Sequence, residues 1–258
     1  EYEMGKLIKY EVRKQRTARL VILAALAVGL LVFWGGLLFD NEQVMGVTIV
    51  LMFCAALLVL FYSGIEGVLV LNRDLRTKQS YMLWMVPKSI WEIMGAKFIS
   101  SILQMLIMFA LFAAAGGACL ASAVLKVDGF ASLIEAFRMI SSAFVEGGIR
   151  WTDMVQLAFL VFLAWSLVIM IGFFAVILSR TVLVRSRFAG LAAVILFFVI
   201  NFVVERGYDL LYSIPAIAGM SGSGSLSGLN VFDVLYYLVV CGILFIASSL
   251  VADKKLSV

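Results

Sequence analysis

The chain has 258 residues, 64% of them apolar and only 14% charged, with mean hydropathy +1.11; a soluble domain is about 45–50% apolar and about 25% charged. A water-soluble globule is thereby excluded. The net charge of +4 and the complete absence of histidine remove the commonest metal ligand and the commonest general base, so a Ser/His hydrolase or a histidine-built metal centre is excluded too.

The chain opens on EYEMGKLIKYEVRKQRTAR. Leu7, Ile8, Tyr10 and Val12 recur among lysines and arginines, which predicts an amphipathic helix over residues 1–19 lying in the membrane interface. Met4 is expected to be the native start. The run 20–39 that follows is longer than a signal-peptide core and lacks a small-x-small cleavage site, so it is expected to stay as an anchor.

Further runs near 47–71, 98–124, 154–178, 188–204 and 231–251 give six spans, because about 20 apolar residues cross a hydrocarbon layer about 30 Å thick. The expected fold is an all-α polytopic membrane protein, a single domain over 1–258. Cys54, Cys119 and Cys241 all lie inside these runs and read as small hydrophobes. Sixteen lysines and arginines fall on the arm, the 72–97 and 179–187 connectors and the tail, against four on the alternate side at 40–46, 125–153 and 205–230. The positive-inside rule then places both termini in the cytoplasm. Such asymmetry speaks for topology and contact with anionic membrane lipid; no module for nucleic acid is present.

The segment Asn72–Lys97, NRDLRTKQSYMLWMVPKSIWEIMGAK, mixes charge with apolar residues. Leu75, Met82, Leu83, Met85 and Val86 gather on one helical side, and Arg76, Lys78, Gln79 and Ser80 favour the other. Asp74, with Asn72, is expected to cap this helix, which must stop near Pro87. Ser89-Ile90-Trp91-Glu92 has the S-x-x-E form of a capping box, so a second helix is expected to start there and run through Gly95 and Lys97 into the third span. The shape is a lever, suited to passing a push from a soluble partner into the bilayer; an interfacial connector resting on lipid has the same pattern.

Elsewhere, residues 130–144 predict an amphipathic helix on the outer leaflet, and Ser221–Gly228 a flexible loop. Glu66 is an acid inside a predicted span; six residues before Asn72, about 9 Å along a helix, it is expected near the inner interface, paired with Arg73 or an N-terminal arginine or acting at a gate. Small residues run through the third span (Ala110, Ala113, Ala114, Gly116, Gly117, Ala121) and the first (Gly29, Gly35, Gly36), as close helix packing requires, within the chain or along a dimer seam. Phe53, Phe61, Phe109, Phe112, Phe173 and Phe174 either line a route for a greasy substrate or face lipid and neighbouring helices.

The connector resembles that of ABC-2 type permeases, the membrane subunits of one class of bacterial ABC exporters. Asp74, Thr77, Pro87, Gly95 and Lys97 match the recurrent acid, polar helix, proline turn and Gly-x-Lys of that family, and the six-span order and basic arm extend the likeness over nearly the whole chain. Lys78-Gln79-Ser80 and Trp84-Met85-Val86 depart from it. The resemblance implies a multi-pass protein of the bacterial cytoplasmic membrane, paired with itself or a homologous permease. Two separate ATP-binding subunits would hold ATP and Mg and dock on Asp74, Leu75, Thr77, Lys78, Met82, Leu83 and Pro87, with Gly95 and Lys97 marking entry to the third span. The chain carries no G-x-x-x-x-G-K-S/T, so it is expected to hold no cofactor and to be no enzyme by itself. The expected cargo is hydrophobic or amphipathic, a peptide, drug or lipid. A non-transporting scaffold or assembly factor is the alternative.

Overall fold

In lipid every backbone N–H and C=O must be satisfied within the protein, and a continuous helix does this locally. The computed structural model describes residues 2–76, 89–128, 138, 142, 151–182, 188–214 and 231–256, and among them seven helices account for nearly the whole backbone. They are α1 (Tyr2–Lys14), α2 (Arg16–Leu38), α3 (Glu42–Arg76), α4 (Ile90–Asp128), α5 (Trp151–Val182), α6 (Ala189–Tyr212) and α7 (Val231–Leu256). Six of them, α2 to α7, are long and apolar enough to cross a membrane, and the protein is multi-pass in that sense.

Local chemistry sets the helix ends. Between α2 and α3 the chain turns through Asp40, whose φ of 52° is a left-handed conformation that a short polar side chain tolerates. Asn41 then caps α3, its Oδ1 accepting from the Val44 N–H at 3.1 Å. Lys126, near the end of α4, donates to the Asp40 carboxylate and the Leu37 carbonyl and so ties α4 to this turn. At its other end α4 begins as the capping-box spacing predicts: the Glu92 N–H donates to Ser89 Oγ at 3.3 Å, and the helix runs unbroken through Gly95 and Lys97.

The helices overrun the apolar runs. α3 continues to Arg76, and α6 continues from 204 to Tyr212. The amphipathic helix expected at 130–144, apart from residues 138 and 142, the loop 221–228 and residues 77–88 of the connector lie outside the described residues, with Thr77, Lys78, Met82, Leu83 and Pro87 among them.

α5 is the axial helix, packed against α3, α6 and α7. Val155, Leu157, Phe159 and Val161 in its first half are exposed, but from 162 to 181 none of its residues is, and Leu167, Met170, Phe173 and Ile177 form the centre of the core with Leu71, Met94 and Leu244. α2, α3 and α6 lie at the periphery. Phe53 and Phe61 of α3 and Phe109 of α4 are exposed, whereas Phe173 is fully buried.

Two glycines permit close approach. A Cβ on Gly67 of α3 would overlap the Ser101 hydroxyl of α4, and one on Gly172 of α5 would stand 2.6 Å from Val68 Cγ2 of α3. The glycines of the expected small-residue faces behave differently. Gly29 and Gly36 face Met52, Val44 and Met45 across the α2–α3 pair, but Gly35, Gly116 and Gly117 have open space around them, and Ala110, Ala113 and Ala114 are exposed. Intramolecular packing therefore does not use most of that stripe.

Candidate functional site: a buried charge cluster at one end of the bundle

α1, the start of α4 and the C-terminal half of α7 share one end of the molecule, the basic end: Met4 and Phe245 are the side-chain atoms nearest Gly95, and Trp91 and Phe245 meet edge to face at 5.9 Å. α1 turns its Leu7, Ile8, Glu11, Val12 and Gln15 face inward, and α4 is the helix it packs against. The apolar side of this helix is thus covered by protein, where the sequence pattern predicts contact with lipid; one turn of covered α1 surface also carries an acid, which only a partner on α4 can satisfy.

That partner is Lys97, 3% exposed. Its Nζ donates to Glu11 Oε1 at 2.8 Å and to Asp74 Oδ2 at 2.5 Å. The second oxygen of Asp74 accepts from Lys14 of α1. Glu11 and Asp74 are themselves buried, at 5% and 8% exposure. Two carboxylates and two ammonium groups make the cluster neutral, and every member holds at least one charge-assisted hydrogen bond, the condition under which buried ions are tolerated. The Lys97 carbonyl, in turn, accepts from Ser100 and Ser101, each at 2.9 Å.

Asp74 accordingly does not cap a connector helix. It sits inside α3, which has two more residues to run, and its carboxylate points into the bundle. The physical reason is the position of Lys97: an unpaired buried ammonium would cost several kcal/mol, so the acid that neutralises it is drawn inward. Neighbouring Leu75 is partly buried against the core. Two residues before Asp74, Asn72 Oδ1 accepts from Arg180 Nη2 at 2.7 Å and Nε at 3.2 Å. The last turns of α3 are therefore fastened to α1, α4 and α5 at once.

Glu66 also departs from expectation. It is 5% exposed, and Oε2 has no hydrogen-bond partner among the described residues. No ion pair with Arg73 forms; Arg19 and Arg73 act on the carboxylate electrostatically without touching it. The Arg19 guanidinium is engaged elsewhere, donating to the Val12 carbonyl at 2.7 Å.

Glu11, Lys14 and the Asn72–Arg180 pair were not legible as site residues. One signal could have found the first: Glu11 is an acid on the apolar face of an otherwise basic helix. Among the described residues no three Asp, Glu or Cys side chains gather as metal ligands. A cleft of about 190 Å³ opens between α3 and α4, lined by Ile49, Met52, Phe53, Phe112, Cys119 and Leu120. No protein-family model, curated protein or solved structure matches this chain.

Proposed function

We propose that the chain is the membrane-spanning subunit of an ATP-driven exporter, working as a pair and driven by separate ATP-binding subunits that dock on residues 77–87. The observation that carries this reading is the Glu11–Lys97–Asp74–Lys14 cluster. α3 ends at Arg76 and α4 begins at Ile90, and the cluster joins these two helices, which flank the connector in sequence, to α1. A push on the connector then reaches α1, α3 and α4 as one block instead of being absorbed at a loose helix end. An ATPase docking site needs such stiffness behind it, and a connector merely resting on lipid does not.

Two further observations support the reading. The split of sixteen bases against four puts the connector in the cytoplasm, where ATP is. The wholly apolar lining of the α3–α4 cleft suits a hydrophobic or amphipathic cargo in preference to an ion, which needs fixed charges or carbonyls along its path. The test is purification of the tagged chain from its native membrane in mild detergent. An ATP-binding subunit recovered in near-equal amount, and lost when residues 77–86 are scrambled, is the expected result. A chain recovered without an ATPase would replace this reading by that of a membrane scaffold.

A further inference from the structure

The bases at this end fall into two sets. Those facing the bundle are engaged: Lys97 and Lys14 on carboxylates, Arg180 on Asn72, Arg19 on a carbonyl. Lys9, Arg13 and Arg16 are exposed and make no hydrogen bond or ion pair among the described residues. The spacing of Lys9 and Arg13 puts them on the side of α1 away from Glu11, and Arg16 follows at the start of α2. Tyr10, 64% exposed, stands in the middle of the stripe. The stripe runs on into Leu20, Val21 and Val28 of α2, all more than half exposed, which is surface that faces hydrocarbon in a membrane-spanning helix.

The geometry points to an anionic phospholipid site on the outer face of α1 and the start of α2, built from Lys9, Arg13 and Arg16 with Tyr10 as the interfacial anchor. Because Glu11 fastens the opposite face of α1 to Lys97 of α4, the stripe is held at a fixed height directly above the lipid-exposed side of α2. That is where a lipid phosphate sits, and three unneutralised cations there require anions. Tyr, apolar in body and polar at the tip, favours the same depth. An acidic protein surface would also match the charge, but it would not explain the continuity with the hydrocarbon-facing residues of α2. This inference does not depend on the exporter reading.

The test uses the full chain reconstituted in vesicles of phosphatidylcholine containing a minor fraction of phosphatidylglycerol, with retained lipids counted by native mass spectrometry as that fraction is raised. The wild type is expected to retain phosphatidylglycerol in excess of its share. The K9Q/R13Q/R16Q variant should lose that excess, with apparent affinity falling about fivefold per neutralised charge. R13Q alone gives the single-charge step should the triple variant fail to fold. K254Q, which removes an exposed base outside the stripe, should retain the wild-type excess. The inference is overturned by wild-type chain with no excess, by folded K9Q/R13Q/R16Q or R13Q chain that keeps it in full, or by an equal loss in K254Q. An acidic protein that co-purifies through the stripe with no lipid preference would overturn it likewise.

Discussion

The two ends of the bundle are held by opposite means. At the basic end, α1, α3 and α4 meet through ions, the buried Glu11, Lys97 and Asp74 with the partly exposed Lys14. At the opposite end, α6 and α7 meet through aromatic rings: Tyr208 lies 5.8 Å from Tyr212, 5.7 Å from Phe232 and 5.3 Å from Tyr236. Two hydroxyls steer this cluster, Tyr208 donating to Asp233 Oδ1 at 2.7 Å and Tyr236 to the Val204 carbonyl at 2.5 Å. Rings can slide over one another at small cost, whereas a buried ion that loses its counter-ion pays the full desolvation penalty. The ion end is therefore all-or-none and the ring end graded.

Replacing Lys97 with Met is the harshest break of that contrast. It leaves Glu11 and Asp74 buried without their shared cation, and the expected loss is about 3–5 kcal/mol, read as a lower midpoint of thermal unfolding in detergent. If the loss arises from stranded charge, the triple variant K97M/E11L/D74L should recover most of it, since a well-packed apolar replacement of buried ions is often neutral. Failure to recover would mean that the cluster acts through shape, not charge.

Next in size is Gly67→Ala. The added methyl group meets Ser101 in the α3–α4 contact, and overpacking of this kind costs about 1–3 kcal/mol. G67A/S101G should restore the wild-type midpoint. Tyr208→Phe, at the ring end, removes one hydroxyl from a half-buried carboxylate and should cost about 1 kcal/mol while leaving the rings in place. A loss as large as that of K97M would erase the distinction between the ends. Smallest of all is Gly117→Ala, which faces open space and should shift the unfolding midpoint of the isolated chain by no more than about 0.5 kcal/mol.

The six spans and the start of α4 could be read from the sequence because each rests on a local pattern: an unbroken apolar run, or Ser89 three residues before Glu92. The cluster could not. Its members stand at 11, 14, 74 and 97, so nothing within one turn of Asp74 announces Lys14 or Lys97. The cap assigned to Asp74 followed from looking only at its neighbours. The small residues tell a similar story. The runs of Ala and Gly in the first and third spans drew attention by density, yet the contacts that require glycine are the isolated Gly67 and Gly172, which can be recognised only once Ser101 and Val68 are placed opposite them. For Glu66 the sequence distance to Asn72 speaks to depth, but a partner depends on the fold, and among the described residues its Oε2 has no hydrogen-bond partner.

The Gly67–Ser101 contact has a consequence of scale. Gly67 lies nine residues from the end of α3 at Arg76 and 25 from its start at Glu42, or about 14 Å and about 38 Å along the axis at 1.5 Å per residue. Where two stiff rods cross at one tight point, a rocking motion is magnified in proportion to the lengths on either side. A shift of 1 Å at the short side of that crossing would become about 3 Å at the far side by the same rise per residue.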